Sequence, residues 1–475
     1  MTATDVLVVG LGPTGLGAAW RLDALGHPDW IACEAAPLAG GLAGSEVDEH
    51  GFTWDYGGHV QFSHYAYFDA LMDDLLGEDG WYHHDRESWV WVRGRFVPYP
   101  FQLNVHRLPE DDTARAVAGL VSAARRASEG GPPPADFGAW IDAAFGPGIG
   151  EIFMRPYNTK VWAREPERMA WHWIGDRVAT VDLPRVVENV RLNRDDVSWG
   201  PNNRFRFPRR GGTGAIWRTL GDRLATRHPS RLQFGRRLAA LDTAARRATF
   251  DDGTVIGYER LLSTIAVDQL TRLSDLAPAL GPALEDLEYS STHVIGVGLH
   301  GQAPEALAGK CWMYFPEDDC PFYRVTHFSH YSPHNVADAA TQWSLMAEVA
   351  ESPHRPLRRA DVVADTVDGM LATGLVADRA AVHHTWHRRL ERGYPIPSLH
   401  RDRALARVLP AFEARGVRSR GRFGAWKYEV SNQDHSFAQG VEAVDAWLSG
   451  ADEETLHHPD RVNARRPAPL KDRRA

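Results

Sequence analysis

The strongest constraint on this chain lies within its first residues. Val6-Leu7-Val8-Val9 is a buried-strand pattern that stops at Gly10-Leu11-Gly12-Pro13-Thr14-Gly15 and passes into a helix over Leu16 to Leu25. Each glycine has its own task in such a turn. Gly10 permits the sharp reversal, Gly12 lets the backbone approach a pyrophosphate, and Gly15 lets the helix pack closely on the strand. The helix start offers free N–H groups and partial positive charge to phosphates. A second strand, Trp30 to Cys33, ends at Glu34, an acid placed to accept a ribose hydroxyl. The spacing predicts a dinucleotide site without choosing between NAD and FAD.

The rest of the chain must supply the substrate. At 475 residues it is too long for one core, so two or three lobes are expected. Its net charge of -9 argues against general nucleic-acid binding. The longest apolar runs are strand-sized, far short of the ~20 residues of a membrane span. The start resembles no secretion signal, and Cys33, Cys311 and Cys320 form no disulfide or metal framework, so a cytoplasmic protein is expected. The pairs His83-His84, His383-His384 and His457-His458 could suggest a metal. Neighbours on a strand point to opposite sides, so they read as structural or surface histidines and no metal is expected.

Periodicity places helices over Tyr67–Leu76, Asp112–Ala127, Asp361–Thr373 and Phe437–Leu448, with a mainly helical stretch from Phe137 to Ala170. Trp89 to Phe96 alternates as one strand, and residues 290–350 are strand-rich. Glycines and polar residues from Trp171 to Gly214 suggest mobile loops. The expected class is α/β. A discontinuous Rossmann-like FAD-binding domain takes residues 1–100, 205–270 and 415–460, with an inserted helical domain at 101–204. A mixed β-sheet substrate domain spans 271–414, and 461–475 form a loose tail.

FAD is favoured over NAD by two further features. Gly40-Gly41-Leu42 and Leu261-Leu262-Ser263-Thr264-Ile265 resemble elements of the amine-oxidase-like FAD proteins. Longer motifs then accumulate in order: Gly57-Gly58-His59-Val60-Gln61-Phe62, Val97-Pro98-Tyr99-Pro100-Phe101-Gln102, Phe153-Met154-Arg155-Pro156-Tyr157-Asn158, Lys160-Val161-Trp162-Ala163 and Trp199-Gly200-Pro201-Asn202. Cys320-Pro321-Phe322-Tyr323-Arg324, Gly393-Tyr394-Pro395, Ser419-Arg420-Gly421-Arg422, Trp426-Lys427-Tyr428-Glu429 and Asn432-Gln433-Asp434-His435-Ser436 follow. Over about residues 5 to 460 the chain resembles the UDP-galactopyranose mutases, in particular their eukaryotic-type branch.

That resemblance implies interconversion of UDP-galactopyranose and UDP-galactofuranose without net redox. The implied route is attack of reduced-flavin N5 on the anomeric carbon, an iminium intermediate and recontraction of the ring. It implies His59 beside the flavin, with Arg177, Arg324 and Arg422 on the pyrophosphate. Tyr99, Gln102, Asn158, Trp162, Asn202, Trp312, Tyr314, Tyr394 and Tyr428 would surround the rest of the UDP-sugar. The FAD contacts implied are Gly10, Gly12, Thr14, Gly15, Glu34, Gly41, Leu42, Gly58, His59, Leu238, Ser431, Asn432 and Ser436. NADPH is the implied reductant, at His64, Arg86, Ser88 and Tyr99, and a homo-oligomer is left open. The chemistry agrees in kind: a diphosphate calls for guanidinium forks and a planar base for aromatic faces. Gln61 stands where an aliphatic residue is expected, which points to a retuned sugar preference, toward another UDP-hexose or a pentose. The competing reading is a flavin amine oxidase-like enzyme, which would need an apolar tunnel.

Overall fold

The computed structural model describes residues 2–180, 182–197 and 204–465. Two seven-stranded sheets organise them. In the first, Thr2–Val9 lies centrally, parallel to both Trp30–Glu34 and Val255–Ser263. Leu232–Phe234 extends it beyond Trp30–Glu34, and Val417–Ser419 pairs parallel to the end of Val255–Ser263. An antiparallel turn of strand, Leu238–Asp242 and Arg247–Phe250, closes the other side. Helices Pro13–Ala24, Gly214–Arg227 and Gln433–Ser449 pack on one face and Val267–Arg272 and Arg401–Glu413 on the other, so its central strands are apolar on both faces.

The second sheet runs Val382–Pro395, Tyr289–His300, Gln342–Glu351, Arg324–His327, Trp312–Tyr314, Ser88–Val92, Arg95–Pro98. It is antiparallel except where Trp312–Tyr314 lies parallel to Ser88–Val92. This corrects two expectations. Trp89 to Phe96 is not one strand but a hairpin, reversed at Arg93 (φ 54°) and Gly94 (φ 70°), the paired left-handed conformation of a tight two-residue turn. Nor does that hairpin belong with the nucleotide sheet, as the boundary at residue 100 implied: its partner lies more than two hundred residues away in sequence, beyond any local pattern.

The third layer is helical. Glu110–Glu129 crosses Phe137–Ile149 at a glycine contact, where a Cβ on Gly148 would come 2.3 Å from the Arg115 carbonyl oxygen and one on Gly146 2.2 Å from that of Gly119. The stretch from Trp171 to Gly214, expected as loops, contains the helix Leu183–Leu192 and the strand Arg204–Pro208, which pairs with Trp81–Asp85. The carboxyl end also continues past the expected last helix: Glu454–His457 and Pro459–Asn463 are helical, so the loose tail does not begin at residue 461. Among the described residues no helix is long and apolar enough to cross a membrane.

Candidate active site

A cavity of about 1330 Å³ opens between the two sheets. Pockets for one drug-sized ligand span about 300–1,000 Å³, so this one has room for two. One end is the nucleotide turn. Gly10 sits at φ 95°, and a Cβ there would meet Thr264 Oγ1 at 2.2 Å. Gly12 caps the helix Pro13–Ala24 and faces Gly41, where a Cβ would lie 3.2 Å from the Gly12 Cα. Glu34 accepts the Leu11 and Ala36 backbone N–H groups at 2.6 and 2.8 Å, which ties the second strand's end to the turn. Gly10, Gly12, Thr14, Glu34, Gly41, Leu42, Gly58, His59, Leu238, Ser431, Asn432 and Ser436 all line the cavity. Gly15 does not line it. It packs instead, since a Cβ would fall 1.8 Å from the Gly10 carbonyl oxygen.

The other end is cationic and aromatic. Arg324 projects from the strand Arg324–His327, and its Nε and Nη2 donate to the two carboxylate oxygens of Glu348 on the adjacent strand. Burial opposes charge on both. Their mutual attraction wins, holding the Arg324 pKa well above and the Glu348 pKa below its ordinary value. Arg422 donates through Nε and Nη2 to the Gly393 carbonyl at 3.1 and 2.9 Å and through Nη1 to Ser431 Oγ at 3.0 Å. Its guanidinium lies 4.8 Å from the Tyr394 ring and 5.8 Å from that of Tyr428. Arg177, in the short turn Gly175–Arg177, donates to the Glu429 carbonyl at 2.5 Å, and its guanidinium lies 5.7 Å from the Tyr428 ring. Trp312 donates to the Tyr314 hydroxyl at 2.6 Å, and Tyr99 packs on Tyr314 at 5.5 Å.

His59 stands between the two ends. Burial pushes its pKa down to about 4, with Arg422 and Arg324 adding to the shift and Glu348 opposing it, so the ring is neutral near pH 7. Its Nδ1 is buried without a hydrogen-bond partner among the described residues.

Most of the residues implied for substrate also reach this cavity. Arg177, Arg324, Arg422, Tyr99, Trp312, Tyr314, Tyr394 and Tyr428 line it, as do His64 and Arg86. Four others lie behind the wall. Gln102 donates its side-chain amide to the Ala179 carbonyl at 2.9 Å, and Asn158 donates to that of Met154 at 2.7 Å. Trp162 is buried edge-on against Tyr394 and Tyr428, and Ser88 is buried in its strand. Asn202 lies outside the described residues.

Two contributions were not anticipated. Glu348, which sets the Arg324 fork, was legible as a lone acid in the apolar run Leu345-Met346-Ala347-Glu348-Val349-Ala350. Asn463 lines the cavity from the last helix and shares the Glu429 carbonyl with Arg177, donating at 3.0 Å. Gln61, which the sequence marked, also lines the cavity; its amide donates to Gln433 at 2.9 Å, and Gln433 also accepts the Trp217 indole N–H at 2.7 Å. No sequence signal marked Asn463.

Residues 8–75 match the family model of the NAD(P)-binding Rossmann-like domain. A solved structure of a reduced UDP-galactopyranose mutase is 46% identical, with a TM-score of 0.93, and the match covers 98% of each chain. Putrescine oxidase bound to putrescine shares 14% identity at a TM-score of 0.61, over 94% of this chain and 99% of that one. An oxidoreductase from Methanosarcina mazei shares 14% at 0.63, over 93% and 99%. The last two likenesses are of fold alone.

Proposed function

Given that this chain belongs to the UDP-galactopyranose mutase family, we propose that it interconverts UDP-galactopyranose and UDP-galactofuranose with FAD as resident cofactor. The observation that carries this reading is the convergence of Arg324 and Arg422 on the cavity that begins at the Gly10–Gly15 turn. An oxidase for an apolar or amine substrate has no use for guanidinium groups there, whereas a diphosphate needs them.

The residues present fit FAD. Glycine backbone and the start of Pro13–Ala24 would hold its phosphates, Glu34 its ribose, and the start of Gln433–Ser449 its pyrimidine. Bound and reduced, the flavin supplies a nucleophilic nitrogen for the anomeric carbon, with no net change in oxidation state. The chain's own part is electrostatic and positional. Arg177, Arg324 and Arg422 stabilise the charge that grows on the departing diphosphate. Tyr314, Tyr394 and Tyr428 seat the substrate, and neutral His59 offers a lone pair or an N–H without adding charge. The turn around Arg177, anchored on Glu429 and, through Ala179, on Gln102, keeps water out.

Chromatography of UDP-galactofuranose after incubation with dithionite-reduced protein tests the proposal. Conversion to UDP-galactopyranose is expected, and its absence from flavin-loaded, reduced protein refutes it. We further assign the chain to the eukaryotic-type branch, with NADPH binding near His64, Arg86 and Tyr99 and reducing the flavin directly. Anaerobic NADPH should bleach the flavin. A flavin that dithionite bleaches and NADPH leaves oxidised would remove that claim.

A further inference from the structure

Away from the cavity, a group of imidazoles collects where the hairpin of Ser45–Val47 and Thr53–Asp55 meets the start of the strand Val382–Pro395. His50, His383 and His384 each offer a ring nitrogen, and these three atoms lie within 4.8 Å of one another. The rings of His50 and His384 are 4.2 Å apart, and those of His50 and His383 5.1 Å. His300, at the end of the neighbouring strand, adds a fourth ring 4.4 Å from His383. None of the four lines the cavity described above.

Consecutive strand residues should not converge in this way. They do because the ladder slips here: Gly298 pairs with His384 and Leu299 with Val382, leaving His383 as an extra residue. A bulge of this kind breaks the alternation of side chains. Gly298 also makes space, since a Cβ there would lie 2.4 Å from His384 Cε1.

One carboxylate organises two of the rings. Asp48 Oδ2 lies 2.7 Å from His384 Nε2, and Asp48 Oδ1 accepts the His50 backbone N–H at 2.9 Å. With Nε2–H given to Asp48, the lone pair of His384 is on Nδ1, which is buried and has no hydrogen-bond partner among the described residues. A carboxylate gripping one imidazole nitrogen while the other is left unpartnered is how metal-binding histidines are oriented and made more basic.

We propose that His50, His383 and His384 form a binding site for one divalent ion of the zinc, cobalt and nickel class. Neutral imidazoles suit these borderline ions and not magnesium or calcium, which take oxygen. Ligand nitrogens at about 2.0–2.1 Å from a tetrahedral ion are roughly 3.3 Å apart. The nitrogens must close by at most about 1.5 Å, a movement that His50, exposed on a short turn, can make. Three protein ligands leave a position for water. The ion would clamp the hairpin, which runs on into Gly57-Gly58-His59, to the edge of the second sheet.

The test is calorimetric titration of Zn²⁺ into the full-length, flavin-loaded, tag-free protein after chelator treatment. One ion per chain is expected, with a rise in Tm on loading because only the folded state assembles the site. His50→Gln and His383→Gln should each weaken binding at least about tenfold, while a His457→Gln/His458→Gln variant binds as the parent does. The parent and the variants should all keep their flavin absorbance, which establishes that they are folded. Absence of stoichiometric binding overturns the proposal. So does binding that both His50→Gln and His383→Gln leave unchanged, since the ion would then sit elsewhere.

Discussion

Removing Arg324 leaves Glu348 stranded. Glu348 has 3% of its side chain exposed and Arg324 21%, and both carboxylate oxygens are spent on the guanidinium. Breaking a buried pair from one side costs about 3–5 kcal/mol, chiefly because the remaining charge has no partner. For 475 residues the entropy of unfolding is about 1 kcal/mol/K, so Arg324→Ala should lower Tm by about 3–5 °C. Glu348 is held ionised by Arg324 against burial. Without that cation, burial raises its pKa, and the loss of stability should be larger at pH 8 than at pH 5.5. Adding Glu348→Gln removes the stranded carboxylate, so the double variant should regain part of the lost Tm and lose that pH dependence. UDP binding should behave differently. A charged hydrogen bond to the diphosphate is worth about 1.5–3 kcal/mol, so affinity should fall about 10- to 150-fold in both variants and not be rescued. Differential scanning calorimetry at the two pH values and UDP titration by tryptophan fluorescence make the measurements. The reasoning fails if the single variant is as stable as the double one, or if either binds UDP as the parent does.

Other residues give independent checks. His59 has its pKa lowered to about 4, so between about pH 6.5 and 4 the unfolded chain takes up the proton and the folded state does not. The stability this contributes is present above that window and lost as pH falls through it, so the Tm difference between parent and His59→Asn should narrow from pH 7 to pH 4.5. Gly15→Ala puts a Cβ 1.8 Å from the Gly10 carbonyl oxygen and should cost about 1–3 kcal/mol and most of the bound flavin, whereas Gly26→Ala meets nothing within 4 Å and should keep its flavin. Absorbance of the purified proteins decides between them. Burial pushes the thiols of Cys33, Cys311 and Cys320 up to about 12, so Ellman's reagent should find no reactive thiol in native protein at pH 8 and all three after denaturation.

The nucleotide half of the site was readable because its signals are local. A strand, a glycine turn, a helix and an acid about twenty residues on are all set by backbone sterics over a few dozen positions, and Gly10, Gly12 and Glu34 stand where that logic puts them. The arginines and tyrosines of the other half were readable only as motifs, since nothing local says which way they face. Arg420-Gly421-Arg422 shows the limit. Arg420 is fully buried between Glu413 and Glu453, while Arg422, two residues on, faces the cavity. Gln102, Asn158 and Trp162 sit in equally distinctive motifs yet lie behind the wall.

The sequence by itself determined the Rossmann-like start, the α/β class and the supply of guanidinium and aromatic groups, because periodicity and glycine spacing act between near neighbours. Tertiary structure alone decided that Ser88–Pro98 joins the second sheet, that Glu348 grips Arg324, and that a slipped ladder turns His383 and His384 toward His50. Each of these depends on pairing between segments far apart in the chain, where register and burial, not local preference, choose the partner.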